Sequence, residues 1–68
     1  MLNWNDPERI EKWAENALSG ADTLSEGERT RLLSIARKMV SEGYWRGNIS
    51  DAWRREGYGP AHIPDIYP

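Results

Sequence analysis

Sixty-eight residues, no cysteine, one histidine (His62) and a net charge of −2 set the first bounds. A chain this short is one domain that buries only about 60% of its unfolded surface, without disulfides or a thiolate metal site. No HExxH-type spacing exists and no apolar run nears the roughly 20 residues of a membrane span. Residues 1–20 show neither a basic start nor an apolar signal region, so a cytoplasmic location is the expectation.

Met1 to Asn5 is a short lead whose Leu2 and Trp4 are expected to fold back on the body. A first helix is predicted over residues 6–19. Asp6, or else Asn5, serves as N-cap, with Pro7 at N1, where a missing N–H costs nothing. Ile10, Trp13, Ala14, Ala17 and Leu18 recur at i, i+3, i+4, i+7 and i+8, which is one face of a helix. Glu8 and Lys12 are spaced for a favourable i, i+4 pair, whereas Glu11 and Glu15 repel. Ser19-Gly20 ends the helix, and Ala21 to Leu24 is short enough to join two antiparallel helices.

The second helix, over residues 25–42, carries the strongest signals in the chain. Ser25 with Glu28 three residues on is a capping-box pattern, and Glu26 and Glu28 put negative charge at the positive end of the helix dipole. Leu32, Ile35, Ala36, Met39 and Val40 form its stripe, widened by Leu33. Gly43 suits the left-handed position that closes a helix. Tyr44 to Gly47 then reads as a turn, and a third helix is predicted over residues 49–56, with Ile49, Ala52 and Trp53 facing inward and Gly57 stopping it. Pro60, Pro64 and Pro68 exclude a long helix or central strand beyond Tyr58. Ile63, Ile66 and Tyr67 are expected to lie across the helices as an extended strap. The fold class is therefore all-α, a small three-helix domain over residues 1–59 with an irregular tail over 60–68, packed on the body or projecting from it. Ile10, Trp13, Leu18, Leu32, Ile35, Ala36, Met39 and Trp53 are the expected core.

Charge is lopsided along the chain. Residues 1–28 hold seven acids and two bases, net −5, and residues 29–68 hold seven bases and four acids, net +3. Either the two halves pair across the seam or they present two differently charged surfaces. Four tryptophans and no phenylalanine suggest that indoles are shared between core and surface, since tryptophan combines large apolar area with one N–H needing a partner.

Chemistry-bearing constellations are scarce. No cysteine nucleophile is present, His62 lies among prolines without a recognisable Ser or Asp partner, and no phosphate-binding glycine motif follows a strand. Glu11 and Glu15 read as solvated charge, and the Asn48-Ile49-Ser50 glycosylation triplet has no secretory context. No enzyme activity and no cofactor are expected. The helices also lack the basic polar face with bulky apolar face that selects anionic lipid.

Tyr44, Trp45, Arg46, Arg54, Arg55 and Tyr58 interleave aromatic and basic residues, the mixture found at both protein and nucleic-acid interfaces. The segment NISDAWRREGYG, Asn48 to Gly59, resembles the helix and Gly-Tyr turn before the recognition helix of phage small terminase subunits. This resemblance spans twelve residues and implies a helix-turn-helix-like nucleic-acid binder. It departs from the pattern in PAHIPDIYP, where Pro64 stands in place of a continuing helix, and it assigns no family. An overall pI near 5.3 also opposes strong phosphate binding. The sequence reading is a non-enzymatic protein-interaction module of adaptor, antitoxin-like or phage- or plasmid-type inhibitor kind. Those six residues are its contacts, and homodimerisation is open. The alternative is nucleic-acid binding through Arg46, Arg54 and Arg55.

Overall fold

A computed structural model describes residues 6–67; the expectation for Leu2 and Trp4 lies outside them. The fold is all-α, with α1 (Pro7–Ser19), α2 (Glu26–Ser41) and α3 (Arg46–Arg55). Asp6 caps α1, its Oδ1 accepting from the Glu8 N–H at 2.9 Å. Ser25 and Glu28 form the reciprocal box on α2: Ser25 Oγ accepts from the Glu28 N–H at 3.1 Å and Glu28 Oε1 from the Ser25 N–H at 2.8 Å. Both satisfy first-turn donors that the helix itself cannot.

The two later helix ends use one device twice. In Glu42-Gly43-Tyr44 and Glu56-Gly57-Tyr58 the glycine takes φ of +90° and +98°, where an L side chain would clash. The tyrosine N–H then reaches back to the carbonyl of Met39 at 3.0 Å or Trp53 at 3.1 Å, and the glycine N–H to Val40 or Arg54. This is the Schellman closure. The end of α1 is served differently. It has no base of its own in the last turn. Instead Arg29 of α2 donates from Nε to Leu18 O at 3.2 Å and from Nη2 to Ala21 O at 3.0 Å, which places a cation at the negative end of the α1 dipole.

α1 and α2 run antiparallel as a hairpin. Arg29 meets Leu18 at one end, Arg37 bridges Glu11 and Glu15 at 3.5 Å each in the middle, and Ile10 lies by the α2–α3 connection at the other. α3 closes the hairpin with Trp53, which is wholly buried. The Trp53 indole N–H donates to Leu32 O at 3.1 Å, and its ring stacks on Trp13 with centroids 5.3 Å apart.

Several expectations are corrected. α3 begins at Arg46, three residues before the predicted start, because Asn48 Oδ1 accepts the Trp45 N–H at 3.3 Å and Trp45 O begins the helical ladder. Arg46 and Gly47 are thus first-turn residues, not part of a turn. The tail is no extended strap. Gly59 O accepts from the His62 and Ile63 N–H groups, Ile63 O from Ile66, and these tight turns put Ile63 and Ile66 into the core. Ser50, buried in α3, accepts the Tyr67 N–H at 3.0 Å, and Trp13 Nε1 donates to Asp65 O at 3.2 Å. The core also contains Ala14, Ala17, Ala21, Leu24 and Ile49, whereas Trp13, Ile35 and Met39 are only half-buried against it. Ten residues of α3 are too short to roof the whole α2 stripe. No Glu8–Lys12 ion pair forms.

If the tail belongs to the core, Ile63→Ala costs about 2–5 kcal/mol of unfolding free energy, measured by urea denaturation of the full chain. A loss below about 1 kcal/mol would mean that Ile63 covers the helices without holding them.

Candidate functional site

The α2–α3 elbow carries the two exposed large hydrophobic side chains of the described residues, Tyr44 at 46% and Trp45 at 44% exposure. They are adjacent because the Schellman closure turns the chain outward at Gly43 and the next helix starts at once. Trp45 is held in place. Its ring meets Tyr67 edge-to-face with centroids 5.5 Å apart and lies over Gly47, where a Cβ would come within 3.1 Å of the indole. The Arg46 guanidinium sits 5.0 Å from the Tyr67 ring centroid, a cation–π arrangement.

Concavities lined by described residues flank the elbow. One of about 300 Å³ is lined by Ile10, Gly43, Tyr44 and Trp45. A second, of about 470 Å³, runs along α3 between Tyr44, Glu42, Asp51 and Arg55. A third, about 500 Å³, lies between α1 and the tail; Arg9, Lys12, Trp13, Asn16, Arg46 and Asp65 are among its walls.

Of the six residues singled out in the sequence, Tyr44, Trp45 and Arg46 come together here, and Arg55 flanks Tyr44 across the second groove. The other two are engaged elsewhere. Arg54 donates to Tyr67 O at 2.6 Å and to Asp51 Oδ1 at 3.2 Å, which ties down the tail. Tyr58 donates its hydroxyl to Glu28 at the start of α2. Arg46 and the Arg54–Arg55 pair stand at opposite ends of α3, about 12 Å apart along a helix rising 1.5 Å per residue. Among the described residues no helix follows α3.

Arg9, Lys12, Trp13 and Tyr67 were not recognised as surface-forming from sequence. The available signal was spacing: Arg9, Lys12, Trp13 and Asn16 recur at i, i+3, i+4 and i+7, a stripe beside the apolar face of α1. Charge pairing across the halves is real but partial. Arg37 serves Glu11 and Glu15, while Arg31 pairs with Glu56 within the later half. No group of three or more His, Cys, Asp or Glu side chains that could hold a metal occurs among the described residues, and no helix there is long and apolar enough to cross a membrane.

At the far end of the molecule, the Glu28 carboxyl is held below its ordinary 4.5, first by the Ser25 backbone N–H and next by the Tyr58 hydroxyl. The same bond pushes Tyr58 above its ordinary 10.0. Glu28's contribution to stability is therefore complete above pH 4.5 and is lost as pH falls through its lowered folded value. Tyr58's contribution holds below pH 10.0 and is lost as pH rises through its raised value.

No protein-family model, curated protein or solved structure matches the chain.

Tyr58→Phe should reduce the acid-side fall in stability, followed by thermal unfolding from about pH 6 to pH 2, without abolishing it. The Ser25 N–H remains in that variant, so an unchanged pH profile would show that the Tyr58 bond contributes nothing at acid pH.

Proposed function

We propose that the chain is a non-enzymatic protein-interaction module that docks a partner protein on the α2–α3 elbow. The observation that carries this reading is the pair Tyr44 and Trp45, adjacent and nearly half exposed in a chain whose other described large apolar side chains are buried or half-buried. Aromatic anchors with arginine beside them are the side chains most enriched at binding hot spots. Trp45 is also pre-oriented by Gly47 and Tyr67, so ordering it on binding costs little further entropy. The flanking concavities offer places for partner side chains on both sides of Tyr44.

Nucleic-acid binding through α3 is less favoured. Its arginines are divided between the two ends, Arg54 is committed to the tail, and Glu42 and Asp51 line the groove beside Arg55. Phosphate tracking wants cations in a row with few acids among them.

Three measurements test the reading. Affinity capture from the source cell with the full chain should recover a partner whose affinity falls about tenfold or more in Trp45→Ala, while the circular dichroism of the variant stays native. Capture that is indifferent to Trp45→Ala removes the elbow. Fluorescence anisotropy with labelled duplex and single-stranded DNA at about 50 and 200 mM salt should show no binding. Steeply salt-dependent binding that drops in Arg54→Ala with Arg55→Ala would replace the protein partner with nucleic acid. Sedimentation of the free chain distinguishes a second copy as the partner.

A further inference from the structure

The apolar stripe of α2 is longer than the roof that α3 gives it. Ile35 and Met39 stay half-buried at its edge, and beside Met39 a groove of about 470 Å³ opens between the end of α2 and α3. Asn48, Asp51, Ala52 and Arg55 of α3 line it at i, i+3, i+4 and i+7, which is one face of the helix. Glu42 and Tyr44 stand at its elbow end, and Arg55 lies about 10 Å beyond Asn48 at the helical rise per residue. Ala52 comes between on α3. Met39 lies about one turn behind Glu42 on α2, which runs the opposite way, since Arg31 early in α2 pairs with Glu56 at the end of α3. The charges of this face are not settled within the chain. Asp51 pairs with Arg54 at 3.2 Å. Glu42 and Arg55 are both exposed and line the same groove, yet neither forms an ion pair among the described residues.

We propose that this face binds a second copy of the chain, the two related by a two-fold axis through the middle of the groove. In such a seam every contact between two different residues occurs twice, once in each direction. An acid at one end and a base at the other is the arrangement that a two-fold can use. With the axis crossing midway between Glu42 and Arg55, each copy's Arg55 meets the other copy's Glu42. Tyr44, close to Glu42, then offers its ring to the same guanidinium. Near the axis Met39 and Ala52 meet their counterparts, and the small Ala52 side chain lets the helices approach. Asp51 brings no unbalanced charge there, because Arg54 accompanies it. Nucleic acid suits the face poorly, since it presents only negative charge to Glu42 and Asp51. A chain this short buries little of its own surface, and pairing covers apolar area that α3 leaves open. The inference rests on the elbow reading for Tyr44, names what covers the α3 side of the elbow, and leaves Trp45 outside the seam.

The test is sedimentation equilibrium of the full chain from about 10 μM to 1 mM, which brackets the weak association of a seam smaller than the standard roughly 800 Å² per partner. The mean mass should rise from one chain towards two, and association should weaken between about 50 and 300 mM salt. Glu42→Arg and Arg55→Glu each set like charges at both ends of the seam, so each alone should weaken self-association about tenfold or more. The two variants mixed in equal amounts restore both pairs and should associate with each other about as well as the wild type does. The double swap within one chain should self-associate again. Glu42 and Arg55 are exposed, so the variants keep their fold, which circular dichroism verifies. No rise in mass at the highest concentration, self-association indifferent to the single swaps, or a mixture that stays monomeric overturns the proposal. Trp45→Ala separates the two readings, since it should leave sedimentation unchanged. A monomer at every concentration, with partner capture lost in Trp45→Ala, removes the seam alone. A swap-sensitive dimer, with capture indifferent to Trp45→Ala, removes the elbow alone.

Discussion

The buried Trp53 indole is the joint on which the rest depends. It belongs to α3, donates to the Leu32 carbonyl of α2, and stacks on Trp13 of α1, whose own indole N–H holds Asp65 in the tail. One side chain and its stacking partner thus connect all three helices and the final segment. A chain this small has too little interior for several independent layers, so large aromatic surfaces do the work that many aliphatic contacts do in bigger domains. The buried N–H with its partner also gives direction to a core made mostly of aliphatic side chains. Rotating α3 would leave that donor unsatisfied.

That joint divides the aromatic residues between two tasks. Trp13 and Trp53 are spent on assembly. Tyr58 and Tyr44 follow the same Glu-Gly-Tyr helix stop, yet their outcomes differ. Tyr58 finds Glu28, thirty residues away in sequence, and becomes a clasp between the end of α3 and the start of α2. Tyr44 leaves the end of α2 where no described element covers it, and Trp45 follows it outward. Identical local closure produces one internal contact and one open surface, and the difference lies only in what the topology brings opposite. This contrast supports reading the elbow as a surface in use: its aromatics are positioned by Gly47, Asn48 and Tyr67, yet much of their area is left open.

What could be read in the sequence was whatever is local. The Asp6 and Ser25 caps, the Gly43 and Gly57 stops and the two apolar stripes act within four or five residues, and the helices they predict match to within a residue for α1 and α2. The start of α3 was missed because its N-cap is tryptophan, which offers no side-chain acceptor; the acceptor is Asn48, three residues inside. The stripe of α2 overstated the core because periodicity reports which residues share a face, not how much of that face a neighbour covers. Leu32 and Ala36 are buried, while Ile35 and Met39 sit at its uncovered margins. In the other direction, Ala14, Ala17 and Ala21 bring elements close without announcing themselves by size. Ile63 and Ile66 reach the core through turns that their prolines disguise. Of the contact residues, Arg54 and Tyr58 were chosen by composition, and composition cannot tell an arginine holding a carbonyl from one facing a partner.

Charge shows the same limit most clearly. The first 28 residues carry a net −5, which reads as an acidic surface. At about 100° per residue, however, Glu8, Glu11 and Glu15 fall on one flank of α1, and Arg9, Lys12 and Asn16 on the other. Arg37 of α2 neutralises two acids of the first flank. The second flank faces Arg46 and the tail, so the two bases of an acidic segment join a third from a different helix. Net charge and pI average over these flanks and set solubility and long-range steering. Contacts at short range are decided flank by flank, and there the most acidic stretch of the chain supplies two of the three basic residues that line the groove between α1 and the tail.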